Sequence, residues 1–245
     1  MQPSLDTRTG NRLLDALTPK SRGRLQPHLE PVTLKRKMRL EELDHVHFPL
    51  AGLISVVATM EGGDFIEVGM VGREGMYGIA AILTDDTPTE LGVVQLPGRS
   101  LRMRTRLLRQ EMQADGALQT LLLRYAEATM SAIAQSAACN RLHLLEQRCA
   151  RWLLACHDRA EADTFPMTHE FLALMLGVRR PGVSVAAHAL QESGVITYNH
   201  GTLTVEDRLG LEAMACECYR VVQNKFDRVF AVTRVASAAA RADSD

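Results

Sequence analysis

Apolar and polar positions change period several times along the chain, and each change marks a different kind of element. Near the N-terminus apolar residues recur at helical spacing over Asn11–Leu17, and again after Thr18-Pro19 as far as Leu29. From Val32 the pattern becomes that of strands. His47-Phe-Pro-Leu, Leu53-Ile-Ser-Val-Val-Ala-Thr-Met60, Phe65-Ile-Glu-Val-Gly-Met-Val71, Val93-Val-Gln-Leu96 and Ser100–Thr105 are short β-rich runs. Glycine and proline turns separate them, and Glu61-Gly-Gly-Asp64 is predicted as a hairpin. That rhythm predicts a barrel or jelly roll.

From Asp115 to Arg159 the pattern is helical, with no proline and no glycine after Gly116, and a break is predicted near Leu144-Leu145-Glu146. Leu118, Leu122, Tyr125, Thr129, Ala132, Ser136, Cys139 and His143 are spaced alternately four and three apart. Such a seam, with small residues in its middle, suits two helices at close approach. It predicts a dimer helix, the other reading being one amphipathic helix packed on its own domain. Leu211–Phe230 predicts a last helix.

Between these helices lies the run that decides the functional reading. Thr168–Leu190 reads as two short helices meeting at a tight turn. Leu172, Met175 and Leu176 share one face of the first, and Val183, Ala186 and Leu190 one face of the second. Ala173 is small where two steeply crossing helices would touch, and Gly177 supplies the turn. Pro181 suits the first turn of a helix. Arg179 and Arg180 then stand at the exposed start of the second helix, where a helix-turn-helix presents side chains to the major groove. After Leu190, Gly194 closes the helix, and two β-rich runs flank Asn199-His200-Gly201, a hairpin by composition. A helix-turn-helix followed by a hairpin is a winged helix, whose wing tip reaches the phosphate backbone.

Composition narrows the setting. A chain of 245 residues has room for one or two cores, and 46% hydrophobic with 23% charged residues is a globular balance. No apolar run approaches the length of a membrane span, and Met1-Gln-Pro-Ser-Leu-Asp-Thr-Arg8 lacks a secretory pattern, so a cytoplasmic protein without a membrane partner is expected. A net charge of −1 leaves nucleic-acid binding open, because placement of the cations decides it. Cys139, Cys149, Cys156, Cys216 and Cys218 are too few and too uneven for a disulfide framework, and Cys216-Glu-Cys218 lacks the two-residue gap of common zinc and redox motifs. With no cysteine before Cys139, an iron–sulfur centre is not expected either. Buried structural thiols are, with no metal and no cofactor.

The order of β unit, long helix and winged helix resembles the CRP/FNR family of bacterial transcription regulators, related to the catabolite activator. The specific part is Met167–Val205; the β unit matches in layout and glycine rhythm, as in Val71-Gly-Arg-Glu-Gly75. The resemblance implies an α+β chain with a cyclic-nucleotide-binding-like jelly roll over residues 10–114. A dimerisation helix over 115–144 and a winged helix-turn-helix domain with a C-terminal helix over 145–235 would follow. The implied partners are double-stranded DNA, a second copy of the chain, and RNA polymerase. In the family's pattern an early arginine of the recognition helix pairs with guanine, and Arg180 matches it. Pro181 replaces the glutamate that usually follows, and Val185 a later basic residue. Arg179, Arg180 and Ser184 are the candidates for base readout, and Thr168, His188 and His200 for phosphate contact.

The family's nucleotide pocket holds ribose with a glutamate and cyclic phosphate with an arginine. Here the glutamate position falls at Gly78-Ile79, and the arginine position in Thr87-Pro-Thr-Glu-Leu91, which has no cation. A phosphate beside Glu90 is repelled by several kcal/mol, on the order of a near-surface charge pair at ~4 Å. Arg73 is expected to face solvent. Cyclic AMP is therefore not expected to gate the protein, and the sequence names no other effector. His28, His45 and His47 invite a haem or metal reading, with His45-Val-His47 an alternating pair on one strand face; no cysteine, further histidine or local acidic cluster completes a site around that pair, although Glu41, Glu42 and Asp44 lie near. Solvent-facing strand histidines are expected instead. Lys35-Arg-Lys-Met-Arg39 and Arg99, Arg102, Arg104, Arg106 and Arg109 are read as solvated faces rather than as contacts to polymerase or flanking DNA. No nucleophile–base pair, phosphate loop or acid pair suggests an enzyme. A second reading is a small-molecule or metal sensor that acts through protein–protein contacts, with a degenerate DNA-binding domain.

Overall fold

A computed structural model describes residues 8–40, 44–63, 65–84 and 90–242. Two short helices open the chain, α1 (Arg12–Asp15) and α2 (Pro19–Leu25). Asn11 caps the first through its side-chain oxygen, while its amide donates to Pro49 O and Gly75 O at 2.9 and 2.8 Å, so this buried residue also pins the N-terminal segment to the β unit. Five strands follow: β1 (Glu30–Leu34), β2 (Arg39–Leu40), β3 (His45–Thr59), β4 (Phe65–Val71) and, after helix α3 (Ile79–Leu83), β5 (Glu90–Arg104). They form an antiparallel sheet in the order β1-β5-β3-β4, with β2 also on β5.

The runs predicted as separate strands on either side of Ala51 are one strand in the structure. Register shifts at Pro49, Ala51 and Leu53 bend β3 and absorb the proline. Gly52 has φ +87, and a Cβ there would stand 2.7 Å from Leu96 O, so the two long strands approach at this bend only because the residue is glycine. The bend curls the sheet into a jelly-roll-like form.

Helix α4 (Thr105–Ala114) leads to α5 (Gly116–Leu142), and α6 (Leu145–His157) follows the break. The winged element comprises β6 (Thr164–Pro166), α7 (His169–Leu176), α8 (Arg180–Glu192), β7 (Ile196–Asn199) and β8 (Thr202–Val205). The last predicted helix is interrupted: α9 (Arg208–Met214) ends where Ala215 turns extended, and α10 (Cys218–Ala242) starts afresh. The interruption turns Cys216 and Cys218 onto α5, where both are buried against Cys139.

The four-three seam is filled from within the chain. Leu118, Leu122 and Tyr125 belong to the core that holds Phe48, Met103 and Leu108, and Phe226, Val229 and Phe230 of α10 close it. Helix α10 runs antiparallel to α5, with Gln135 on Cys218, Tyr125 on Phe226, and Lys225 paired to Glu127 at 3.0 Å. The expected dimer seam is thus the intramolecular face of α5. Leu123, Met130 and Ile133 stand in the open on the side of α5 away from α10, Met130 at 70% exposure, and the last two also border a cavity between α5 and β4.

The histidine expectation also needs correction. His47 is buried, exchanges backbone hydrogen bonds with Tyr77 at 3.0 and 2.8 Å, and burial lowers its pKa to about 4, with His45 and Arg102 adding to the shift. It faces the sheet interior because β3 is covered on both sides along most of its length. His28 is exposed and His45 half-buried; Glu41 and Glu42 lie outside the described residues. The basic run at Lys35–Arg39 forms an exposed turn, whereas Arg102 pairs with Glu30 at 3.0 Å and Arg109 donates to Ala81 O and Thr84 O at the end of α3.

The β unit and the winged element meet along β4. Ile66 lies against the helix-turn-helix at Gly177, Gln95 donates to Met175 Sδ at 3.2 Å, and Arg159 binds Glu74 at 2.6 Å with both side chains largely buried. At the centre, Trp152 Nε1 donates to Glu67 Oε1 at 2.7 Å and Ser55 donates to the other oxygen. Burial outweighs both donors and raises the Glu67 pKa to about 7. The folded chain therefore keeps a proton that the unfolded chain loses from pH ~4.5 upward, so stability falls between that pH and about 7 and is flat above. Discounted for partial exposure, the effect amounts to about 1–3 kcal/mol. Glu67→Gln is expected to remove this slope, read as the difference in thermal midpoint between pH 5 and pH 8. An unchanged difference in the variant would refute the assignment.

Candidate nucleic-acid interface

Thr168 caps α7, its hydroxyl oxygen accepting from Phe171 N at 3.2 Å. The helix ends at Gly177, φ +63, whose N–H and that of Val178 return to Leu174 O and Ala173 O. A Cβ at Gly177 would stand 2.5 Å from Ile66 Cδ1, so this position needs glycine twice over, for its angle and for its neighbour. Arg148 of α6 reaches across and donates to Leu176 O at 2.7 Å, satisfying a terminal carbonyl. Leu172, Ala173, Met175 and Leu176 of α7 and Val183, Ala186 and Leu190 of α8 share one core with Cys149, Trp152, Leu153 and Cys156 of α6. Burying these positions leaves Arg180, Pro181, Val185 and His188 on the outer face of α8.

That face begins with cations. Arg179 is the extended N-cap and is exposed; Arg180 opens the helix and pairs with Glu170 at 2.9 Å, both side chains open to solvent. An exposed pair of this kind is worth about 0–1 kcal/mol, so Arg180 is lightly held and available to a partner. His188 pairs with Glu192 at 3.3 Å, and Val185 is 72% exposed. Ser184 is half-buried, with its Oγ 3.0 Å from His169 Nδ1. His169 in turn stacks on Tyr198 of β7 at 4.3 Å between ring centroids, and Tyr198 Oη donates to Met167 O at 2.8 Å. Burial, and then Arg180, lower the pKa of His169.

The wing is a three-stranded sheet, β6-β8-β7. His200 (φ +47) and Gly201 (φ +79) form its tip, a two-residue turn with both angles positive. Gly201 O accepts from Met167 N at 2.8 Å, which sets the tip beside Thr168. The structure thus brings Arg180 and His188 onto one exposed helix face, with Arg179 exposed at the N-cap just before it, and sets Thr168 beside the wing tip at His200. It turns Ser184 toward His169 instead. Sequence reasoning missed His169, Glu170 and Tyr198; the signal was present in a polar pair, His169-Glu170, directly after an N-cap threonine.

A family model described as a Crp-like helix-turn-helix domain matches residues 147–214. This part of the chain is a Crp-like helix-turn-helix domain. Solved structures extend the likeness to most of the chain at the level of fold. A protein from Eubacterium rectale, assigned to the CRP/FNR transcription regulators, is 14% identical with a TM-score of 0.65, covering 82% of this chain and 96% of its own. FixK2 from Bradyrhizobium japonicum is 13% identical with a TM-score of 0.64, over 77% of this chain and 98% of its own. The c-di-GMP-responsive global regulator CLP from Xanthomonas campestris is 14% identical with a TM-score of 0.59, over 77% and 99%. No curated protein matches the sequence. The chain therefore has the fold of these CRP/FNR regulators. No helix among the described residues is long and apolar enough to cross a membrane.

Next to the Crp-like domain lies a cavity of about 760 Å³, walled by β4, the loop into α3, α5, α6 and α10. Ile79 lines it, together with Thr129, Ile133, Trp152 and Gln223. Two of its arginines are already paired, Arg159 to Glu74 and Arg12 to Asp227 at 2.7 Å, while Arg73 stands exposed at its edge. Residues Thr87, Pro88 and Thr89 of the expected phosphate segment lie outside the described residues.

Proposed function

We propose that the chain is a homodimeric, sequence-specific transcription regulator that reads a two-fold symmetric operator with half-sites about one helical turn apart. The observation that carries this is the exposed face of α8, opening at Arg179 and Arg180 inside a Crp-like domain. Arg179 and Arg180 read bases, and Thr168, His188 and His200 meet phosphates. Ser184 reaches a base only by giving up His169. The proposed units are 10–114, 115–144 and 145–235, and RNA polymerase is the proposed protein partner at the promoter.

Dimerisation is assigned to the outer face of α5, since α10 occupies the inner one. Leu123, Met130 and Ile133 are exposed apolar side chains three and seven positions apart, the spacing of a helix–helix contact.

Cyclic AMP is not the proposed signal. An apolar Ile79 stands where a ribose-binding carboxylate is needed, and a ligand shifts a two-state equilibrium only by its differential affinity. Selection of random duplex DNA on the purified protein tests the whole reading. Enrichment of an inverted repeat is expected without nucleotide, and 1 mM cyclic AMP or cyclic GMP is expected to change affinity for it by less than about twofold. Failure to enrich any sequence would refute DNA recognition and favour a sensor acting through protein contacts. Enrichment only with a nucleotide would refute the signal assignment alone.

A further inference from the structure

Five cysteines are buried, and they fall into two chemically different groups. Cys149 and Cys156 sit singly in the apolar core of α6, where burial raises the pKa of both thiols, that of Cys149 to about 12. The other three converge on a histidine. Cys139 and His143 are one turn apart at the C-terminal end of α5, and Cys216 and Cys218 come from the interruption between α9 and α10. One ligand atom from each of the four lies within 4.8 Å of all the others, the single such group among the described residues. We propose that Cys139, His143, Cys216 and Cys218 bind one zinc ion, which clamps the start of α10 to the end of α5.

The spacing is that of ligands around one ion. Zn–S bonds of about 2.3 Å and Zn–N bonds of about 2.0–2.1 Å place tetrahedral ligand atoms roughly 3.5–3.8 Å apart. Cys139 Sγ is 3.5 Å from Cys216 Sγ, and Cys218 Sγ is 3.5 Å from His143 Nδ1. An iron–sulfur cluster distributes its ligands over several irons and spreads them wider. Four protein ligands of the Cys3His set leave no open position, which marks a structural rather than a catalytic zinc site.

The surrounding groups fit a metal better than a patch of core. With Nδ1 directed at the cluster, His143 Nε2 is 3.2 Å from Glu217 Oε1, the carboxylate–histidine arrangement that orients an imidazole ligand. Glu217 lies between the two cysteine ligands in sequence, so one short segment supplies two thiolates and the carboxylate that orients the imidazole. Gln135 Nε2 donates to Cys218 Sγ at 3.0 Å, a bond that favours thiolate over thiol. Three thiolates and one zinc carry a net charge of −1, offset by Arg148 and Arg151 nearby. On binding, three thiol protons leave to solvent and no electron is transferred. The cysteine pair separated by one residue gave no zinc signature in sequence because half of the ligands lie on α5, far away along the chain.

Metal content of the full-length protein, purified with its thiols reduced, tests the site. About one zinc per chain is expected, falling at least about tenfold in Cys139→Ser, Cys218→Ser and His143→Ala and unchanged in Cys149→Ala. Glu217→Ala is expected to weaken zinc affinity by about 10–100-fold while keeping stoichiometric binding at saturation. Should the ligand variants fail to fold, wild-type protein stripped of metal and titrated with cobalt alone decides the matter. Saturation at one equivalent, with the strong visible absorption of tetrahedral cobalt–thiolate, is the expected result. Reduced wild-type protein that takes up neither ion stoichiometrically would overturn the proposal. So would an octahedral cobalt spectrum, an iron–sulfur chromophore, or a Cys139–Cys216 disulfide formed with zinc present.

Discussion

Met130→Glu is expected to turn the dimer into a monomer and to remove operator binding with it. Met130 is 70% exposed on α5, so in the proposed dimer a carboxylate there would meet its symmetry mate across a two-fold axis in apolar surroundings. A monomer loses the effective concentration that a tethered second reading head provides, and affinity for the full operator falls by about 10²–10⁴-fold. Light scattering at micromolar concentration and a gel shift on the selected operator read the two effects together. Helical content should stay unchanged, because Met130 touches little of its own chain. Ala132 is the wrong probe even though it lies on the four-three seam: it packs into the core of its own chain, so a bulky charge there unfolds the protomer before it tests any dimer. A dimeric Met130→Glu protein that still binds its operator would remove the outer face of α5 as the interface.

Arg180→Ala is expected to cost about 1–3 kcal/mol on the preferred operator, roughly 5- to 150-fold, and to relax discrimination at one base pair per half-site. Arg180 is the first helical residue of α8, at the end of the motif proposed to enter the groove, and among the described residues Glu170 is its ion-pair partner. Glu170→Ala should then raise affinity slightly, by no more than the ~1 kcal/mol of an exposed ion pair. Equal losses on specific and scrambled DNA would show Arg180 to be a phosphate contact.

The winged helix was legible because its rules are local. A capping threonine, a glycine at the positive-φ turn, an alternation of buried positions and a proline in the first turn of α8 each act within a few residues. The hairpin at His200-Gly201 is legible for the same reason. Strand β3 was read in two pieces because Pro49 and Gly52 punctuate it locally; the register shifts that let the strand continue depend on β5 lying alongside. His47 was read as solvent-facing because alternation along one strand says nothing of what covers each face.

A periodic seam identifies which residues of a helix are buried together, yet carries no label for the partner. Leu118, Leu122, Tyr125 and Cys139 obey the spacing whether the covering helix comes from a second copy or from α10. Amino-acid order alone determined the succession of β unit, long helix and winged helix, because propensity, capping and turn geometry are short-range. Only the tertiary structure decided that α10 covers α5, that Glu67 is enclosed between the β unit and Trp152, and that Cys139 and His143 meet Cys216 and Cys218. Those contacts join residues some 70–100 positions apart. The free energy that selects them comes from burying whole faces at once, which no local pattern of side chains encodes.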